Sequence, residues 1–222
     1  MASTQEKLPW NQIETVLLDM DGTLLDLHFD NYFWQTFLPA EYARKNGLDP
    51  SKTLEKIERM YEEKHGLLEW YSVDYWEEQL QLDIMHLKTL EAQRIRFRPF
   101  ALEFLSFLKE LKVTVALVTN AHPKALELKM MRADFRDLIP FQFSSHDFGL
   151  AKEHPLFWEN FEKKFEFQKE KTLFIDDNDS VLNNAQLFGI KYLRSIKWPD
   201  SKQSEANEST YPMIDSFENI IQ

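Results

Sequence analysis

Two carboxylates with one residue between them stand at the end of an apolar run in Val16-Leu-Leu-Asp19-Met-Asp21-Gly22-Thr23. Side chains of that kind repel each other and resist burial unless a cation or a proton accompanies them. Three other places carry residues of matching chemistry. Thr119 and Asn120 close the run VTVALVT (113–119), Lys152 stands in FGLAKE, and Asp176-Asp177-Asn178 close TLFID (172–176). Several carboxylates, a hydroxyl and an ammonium brought to one crevice would hold a divalent metal and a many-oxygened anion. Oxygen donors without Cys or spaced His favour Mg²⁺ over Zn²⁺. Lys152, with backbone amides around Gly22 and Asn120, would receive the anion, and a phosphate fits. Asp19 is then able to attack phosphorus. Asp21 is able to protonate the leaving oxygen and later to deprotonate water.

Such a site needs a scaffold that gathers strand ends. The runs at 16–19, 113–119, 172–176 and 191–193 read as strands covered on both faces, with 141–145 as a fifth; continuous apolar strands imply a parallel sheet. Between them lie helical patterns. Phe100, Phe104, Phe107, Leu108 and Leu111 share a face after Pro99. Leu126, Met130 and Ala133 follow Pro123, and Leu156, Trp158, Phe161 and Phe165 follow Pro155. Val181, Ala185 and Phe188 precede Gly189, a helix stop. The alternation predicts an α/β fold, a doubly wound parallel sheet whose ligands bind beyond the carboxyl ends of the strands. Residues 28–95 break the rhythm: helices are expected near 31–45, 51–64, 72–82 and 86–96, rich in Tyr and Trp. The expected division is a core of 1–27 and 96–222, with 28–95 as an inserted helical subdomain. The polar stretch 198–211 reads as a surface loop, and the final IDSFENII as a segment that docks through its apolar residues.

The 222 residues carry 26 Lys+Arg against 37 Asp+Glu, a net charge of −11. That balance opposes binding to a nucleic acid polymer, which needs its phosphates neutralised, yet leaves room for a small phosphorylated substrate in a locally positive pocket. No run approaches the ~18 apolar residues of a membrane span, and the polar start with Pro9 does not read as a signal peptide. With no Cys in the chain, a cytoplasmic setting is expected.

Taken in order, Asp19-x-Asp21-Gly22-Thr23, Thr119, Lys152 and Asp176-Asp177 resemble the four motifs of the haloacid dehalogenase-like hydrolases. The resemblance implies a Rossmann-like core with a helical cap inserted between the first and second motifs. It also implies a Mg²⁺-dependent phosphatase that works through an aspartyl-phosphate. The metal ligands it implies are Asp19, the backbone carbonyl of Asp21, and Asp177, with Asp176 as a second acidic group. DNYFWQ (30–35), WYSVDYWEEQLQLDI (70–84), VTNAHP (118–123), FGLAKE (148–153) and TLFIDD (172–177) look like the bacterial GMP/IMP 5′-nucleotidase branch, over most of the chain. That likeness implies a nucleoside 5′-monophosphate substrate.

Each residue also has a plainer reading. Thr commonly ends strands, an isolated Lys152 would be a surface lysine, and Asp176 to Asp179 could cap the helix that follows. The six His show no ligand spacing, although His122 follows the second motif closely enough to approach the site. The aromatics of 28–95 are mainly packing groups. A sugar-phosphate phosphatase or phosphomutase is the enzymatic alternative. The non-enzymatic one is a receiver-like phospho-aspartate module, which the order of the acidic motifs and the inserted segment oppose.

Overall fold

The computed structural model describes residues 7–221. Six strands form one parallel sheet in the order β3-β2-β1-β4-β5-β6: β1 is Thr15–Leu18, β2 Thr114–Thr119, β3 Phe141–Ser144, β4 Thr172–Asp176, β5 Tyr192–Ile196 and β6 Met213–Ile214. The central strand β1 is buried along its whole length. Its side chains alternate between two cores, as a pleated strand requires. Val16 and Leu18 join Val115, Leu117, Leu173 and Ile175 on one face, while Leu17 joins Ala116, Val118 and Phe174 on the other.

Helices cover both faces. The first core is closed by α7 (Ala101–Leu111) and the second by α9 (Phe157–Lys164) and α10 (Asp179–Phe188), while α8 (Pro123–Arg132) follows β2. Between β1 and α7 the elements are helical: α1 (His28–Tyr32), a π turn over Phe33–Phe37, α2 (Leu38–Asn46), α3 (Pro50–Glu62), α4 (Leu68–Tyr71), α5 (Val73–Leu80) and α6 (Ile84–Leu90). These helices have an apolar cluster of their own, including Phe33, Ile57, Tyr61 and Trp76, to which α8 lends Ala125. Asp49, Ser72 and Asp83 cap α3, α5 and α6 by accepting from backbone amides of their first turns.

The five expected strands are present; the one at 172–176 keeps its expected bounds and the other four have ends shifted by a residue or more, that expected at 191–193 running on to Ile196. Three features differ from expectation. Phe100 does not share the apolar face of α7. It precedes the helix with φ of 61° and is 39% exposed, because Pro99 disfavours helical backbone just before it and the chain turns there before α7 begins. Leu111, at the last turn of α7, is also 39% exposed. The stretch 198–211 is more than a surface loop: Asp200 is buried, accepts from Asn31 Nδ2 at 2.8 Å, and so ties the stretch to α1.

The C-terminal segment docks as expected. It adds the two-residue β6 and buries Ile214, Phe217 and Ile220, with Phe217 stacked on Phe104 at a 4.6 Å centroid distance. Phe104 is fully buried in the first core. Phe104→Ala should therefore cost about 3–5 kcal/mol of unfolding free energy, the range for a buried aromatic, as read by urea denaturation.

Candidate active site

The sheet register brings the acids together. Leu18 of β1 pairs with Leu117 of β2 and Ile175 of β4. The next residues on β1 and β4 are Asp19 and Asp176, and on β2 the next is Val118, two residues before Asn120. Neighbouring strands lie ~4.8 Å apart, so both carboxylates emerge side by side at the carboxyl edge. Lys152 enters between them. Its Nζ donates to Asp19 Oδ1 at 2.6 Å, Asp176 Oδ2 at 2.7 Å and the Val118 carbonyl at 3.0 Å. All three side chains are buried.

Lys152 is itself held from behind. Its backbone amide donates to Asn120 Oδ1, and its carbonyl accepts from Asn184 Nδ2, which also donates to the His154 carbonyl. Asn120 Nδ2 and the Tyr71 hydroxyl donate to the two oxygens of Glu153. One carboxylate thereby joins β2's end to helix α4. Thr119 is buried, and its hydroxyl accepts from the Ala121 amide at 3.0 Å.

Asp19, Asp176 and Asp177 each present an oxygen within 4.8 Å of the others'. Burial is the first cause of the upward shift at Asp19, to about 6, with Lys152 opposing. Burial likewise raises Asp176, against Lys152. Asp177 is pushed well above the usual carboxylate range by burial and then by Asp176 and Asp19. One lysine does not balance three carboxylates, two of them buried and the third half-buried, and a hard, all-oxygen donor set of this kind fits a divalent cation such as Mg²⁺. The backbone leaves room for that arrangement at Gly22. Its φ is +81°, and a Cβ there would stand 2.4 Å from Asp177 Oδ2. The Gly22 amide donates to the Leu25 carbonyl at 2.8 Å, so the residue's part is space and backbone conformation rather than an open donor.

Asp21 turns away from this cluster. Its Oδ2 accepts from Lys129 Nζ at 2.7 Å, while Oδ1 is buried without a hydrogen-bond partner. Burial raises its pKa to about 6, with Lys129 opposing. Lys129, Asp30, Lys88, Glu153 and Tyr71 were not among the residues read as chemical from sequence. Asp30 and Glu153 lie inside the quoted segments DNYFWQ and FGLAKE. Lys129 had a signal of its own, as a lone cation among Leu126, Leu128, Met130 and Met131. Asn178 takes the capping role foreseen for its neighbourhood: it caps α10 through Ser180 N, and its amide donates to Asp176 Oδ1. His122 reaches the cavity wall and caps α8.

The carboxylates open into a cavity of about 320 Å³ bounded on the far side by helices of the 28–95 segment. Its lining includes Asp19, Lys152 and Asp177 from the strand ends and Trp34, Trp70 and Tyr71 from the helical segment, with the Tyr71 hydroxyl turned to Glu153.

The family model for haloacid dehalogenase-like hydrolases matches residues 13–180. The chain belongs to that family. This hydrolase is 38% identical over 214 residues, 96% of each chain, to the GMP/IMP nucleotidase YrfG of Escherichia coli (strain K12), and equally to YrfG of Shigella flexneri. Among solved structures it superposes on a HAD phosphatase from Thermococcus onnurineus with a TM-score of 0.76 at 17% identity, covering 93% of this chain and 95% of that one. On L-2-haloacid dehalogenase from Xanthobacter autotrophicus the TM-score is 0.62 at 15% identity, with 94% and 97% covered. At those identities the likeness is one of fold. Membership in a hydrolase family sets aside the receiver-like alternative. Among the described residues no helix is long and apolar enough to cross a membrane.

Gly22→Ala would force a side chain onto a backbone that L-residues rarely adopt and against Asp177. Calorimetric titration with Mg²⁺ should give an affinity about 10–100-fold weaker than that of the unsubstituted protein, the usual cost of disturbing a ligand's support.

Proposed function

We propose that this hydrolase cleaves nucleoside 5′-monophosphates, GMP and IMP in preference, releasing phosphate through an aspartyl-phosphate on Asp19. The observation that carries the reading is one cavity lined both by Asp19, Lys152 and Asp177 and by the indoles of Trp34 and Trp70. A phosphate monoester of a planar base combines the same two characters. Further support is the 38% identity to the GMP/IMP nucleotidase YrfG, which spans the 28–95 segment as well as the sheet. In this reading 28–95 is a cap subdomain over a core of 1–27 and 96–222, and the enzyme works on a small substrate in the cytoplasm.

The phosphoryl group lies against Asp19, its oxygens near Lys152 and Thr119. Asp19 attacks phosphorus, the bond to the ribose 5′-oxygen breaks, and Asp21 gives that oxygen its proton. The nucleoside leaves. A water then attacks the phosphoryl group on Asp19 and loses its proton to Asp21, which restores both carboxyl groups. Asp19, the Asp21 carbonyl and Asp177, with Asp176 beside them, would hold Mg²⁺. When bound, the ion neutralises phosphoryl charge and lets the anionic nucleophile approach an anionic ester.

Phosphate release from a panel of nucleoside monophosphates and sugar phosphates, with Mg²⁺ and with EDTA, tests the assignment. GMP and IMP should lead the panel with Mg²⁺, EDTA should stop turnover, and Asp19→Asn should abolish it with the fold retained by circular dichroism. Equal rates on sugar phosphates would leave a general phosphatase and remove the nucleotide claim.

Base recognition is tested at Trp70. Stacking a base on an aromatic side chain is worth ~1–3 kcal/mol by alanine substitution. In Trp70→Ala the kcat/KM for IMP relative to ribose 5-phosphate should fall about tenfold, and an unchanged ratio would remove this ring from base recognition.

A further inference from the structure

A second charged chain runs beside the Lys152 cluster. Lys88 Nζ lies 2.9 Å from Asp30 Oδ1, Asp30 Oδ2 lies 2.6 Å from Lys129 Nζ, and Lys129 Nζ lies 2.7 Å from Asp21 Oδ2. The signs alternate from helix α6, through α1 and α8, to the loop after β1. The lysine side chains are 2% and 3% exposed, and Lys88 Nζ sits 4.4 Å from the centroid of the Phe33 ring and 5.0 Å from that of Trp34. Buried charges of this sort persist where each has a partner. Asp30 cannot turn without leaving Lys88 unpaired, nor Lys129 without leaving Asp21 unpaired.

The consequence falls on Asp21. Its carboxyl is held by one oxygen only, and the other, Oδ1, is buried with no protein partner in a residue that lines the cavity. A group that must hand a proton to a leaving oxygen and take one back from water needs a fixed direction, and the Lys129 ammonium supplies it.

We propose that Lys129 is a positioning residue for the proton-transfer steps: it anchors the Asp21 carboxyl through Oδ2, and Asp30 in turn anchors Lys129. The inference rests on the phosphatase reading above. In the first step the proton of Asp21 passes to the leaving oxygen as its bond to phosphorus breaks. In the second, Asp21 receives a proton from the water that attacks the phosphoryl group on Asp19.

Leaving-group dependence separates this role from a merely structural one. p-Nitrophenolate departs without protonation, whereas a nucleoside alkoxide does not. Lys129→Met and Lys129→Gln are assayed with Mg²⁺ on IMP and on p-nitrophenyl phosphate. Met offers neither charge nor donor, and Gln, shorter and neutral, serves where Met prevents folding. General acid–base catalysis is worth ~10²–10⁴-fold. The ratio of kcat/KM for IMP to that for p-nitrophenyl phosphate, which reads the steps through departure of the leaving group and not the hydrolysis common to both, should therefore fall by about 10²-fold or more. Equal losses of kcat/KM on the two substrates, or no loss, would overturn the proposal. Should the unsubstituted enzyme hydrolyse p-nitrophenyl phosphate and alkyl phosphates but no nucleotide, the nucleotide reading fails by itself. The same comparison then runs with the best alkyl phosphate of the panel.

Discussion

A buried ammonium between two buried carboxylates is the constraint from which the rest of this site follows. Lys152 bonds Asp19, Asp176 and a strand carbonyl at once. Removing Lys152 would leave two buried carboxylates side by side without a cation, a strongly destabilising condition. The arrangement therefore fixes more than itself. It requires β1 and β4 to be neighbours in the register seen, because a slip of one residue would turn one carboxylate to the opposite face. It requires the loop after β3 to return over the strand ends, and Asn120 and Asn184 hold that loop by its backbone rather than by its charge.

The same constraint separates the surroundings of the two aspartates of the first motif. Asp19 is still in line with the strand and meets Lys152. Gly22, with its positive φ, turns the chain away directly afterwards, and the Asp21 side chain meets Lys129 instead. Two lysines from different parts of the chain thus divide two carboxylates that are only two residues apart. Burial pushes both acids up to about 6, and each has its own cation pulling the other way. Asp30 makes the contrast clear. It is as much removed from water, yet with Lys129 and Lys88 both against it, it is held down at about 2. The number of cations, more than the depth of burial, separates these carboxylates.

Much of this was legible in the sequence, and what was not has a common cause. The strands could be read because parallel strands buried on both faces are continuous apolar runs, and VLL, VALV and LFI have no competing pattern. The site acids could be read because each stands where such a run stops. Lys152 was readable only through its order among the other motifs. Lys129 has no such marker: it lies inside a helix, and its meaning comes from Asp21 and Asp30, 108 and 99 residues away. Asp30 was in view as part of DNYFWQ but carried no partner until the fold supplied two. Phe100 shows the same limit locally, since helical spacing after Pro99 does not say at which residue the helix starts.

The position of the helical segment has a physical logic of its own. It begins seven residues after Asp21, and its first helix carries Asp30. The segment that contributes the aromatic lining of the cavity is therefore tied, through Asp30 and Lys129, to the Asp21 carboxyl. Tyr71 makes a second tie, from α4 through Glu153 to Asn120 and the loop that holds Lys152. Both connections run from the helical segment to a charged group at the strand ends. A segment joined to the core only by apolar contact could be exchanged without consequence for the acids below it. Here a change in the segment is transmitted to the charges, so its shape and the alignment of the Asp21 carboxyl are not independent properties of the chain.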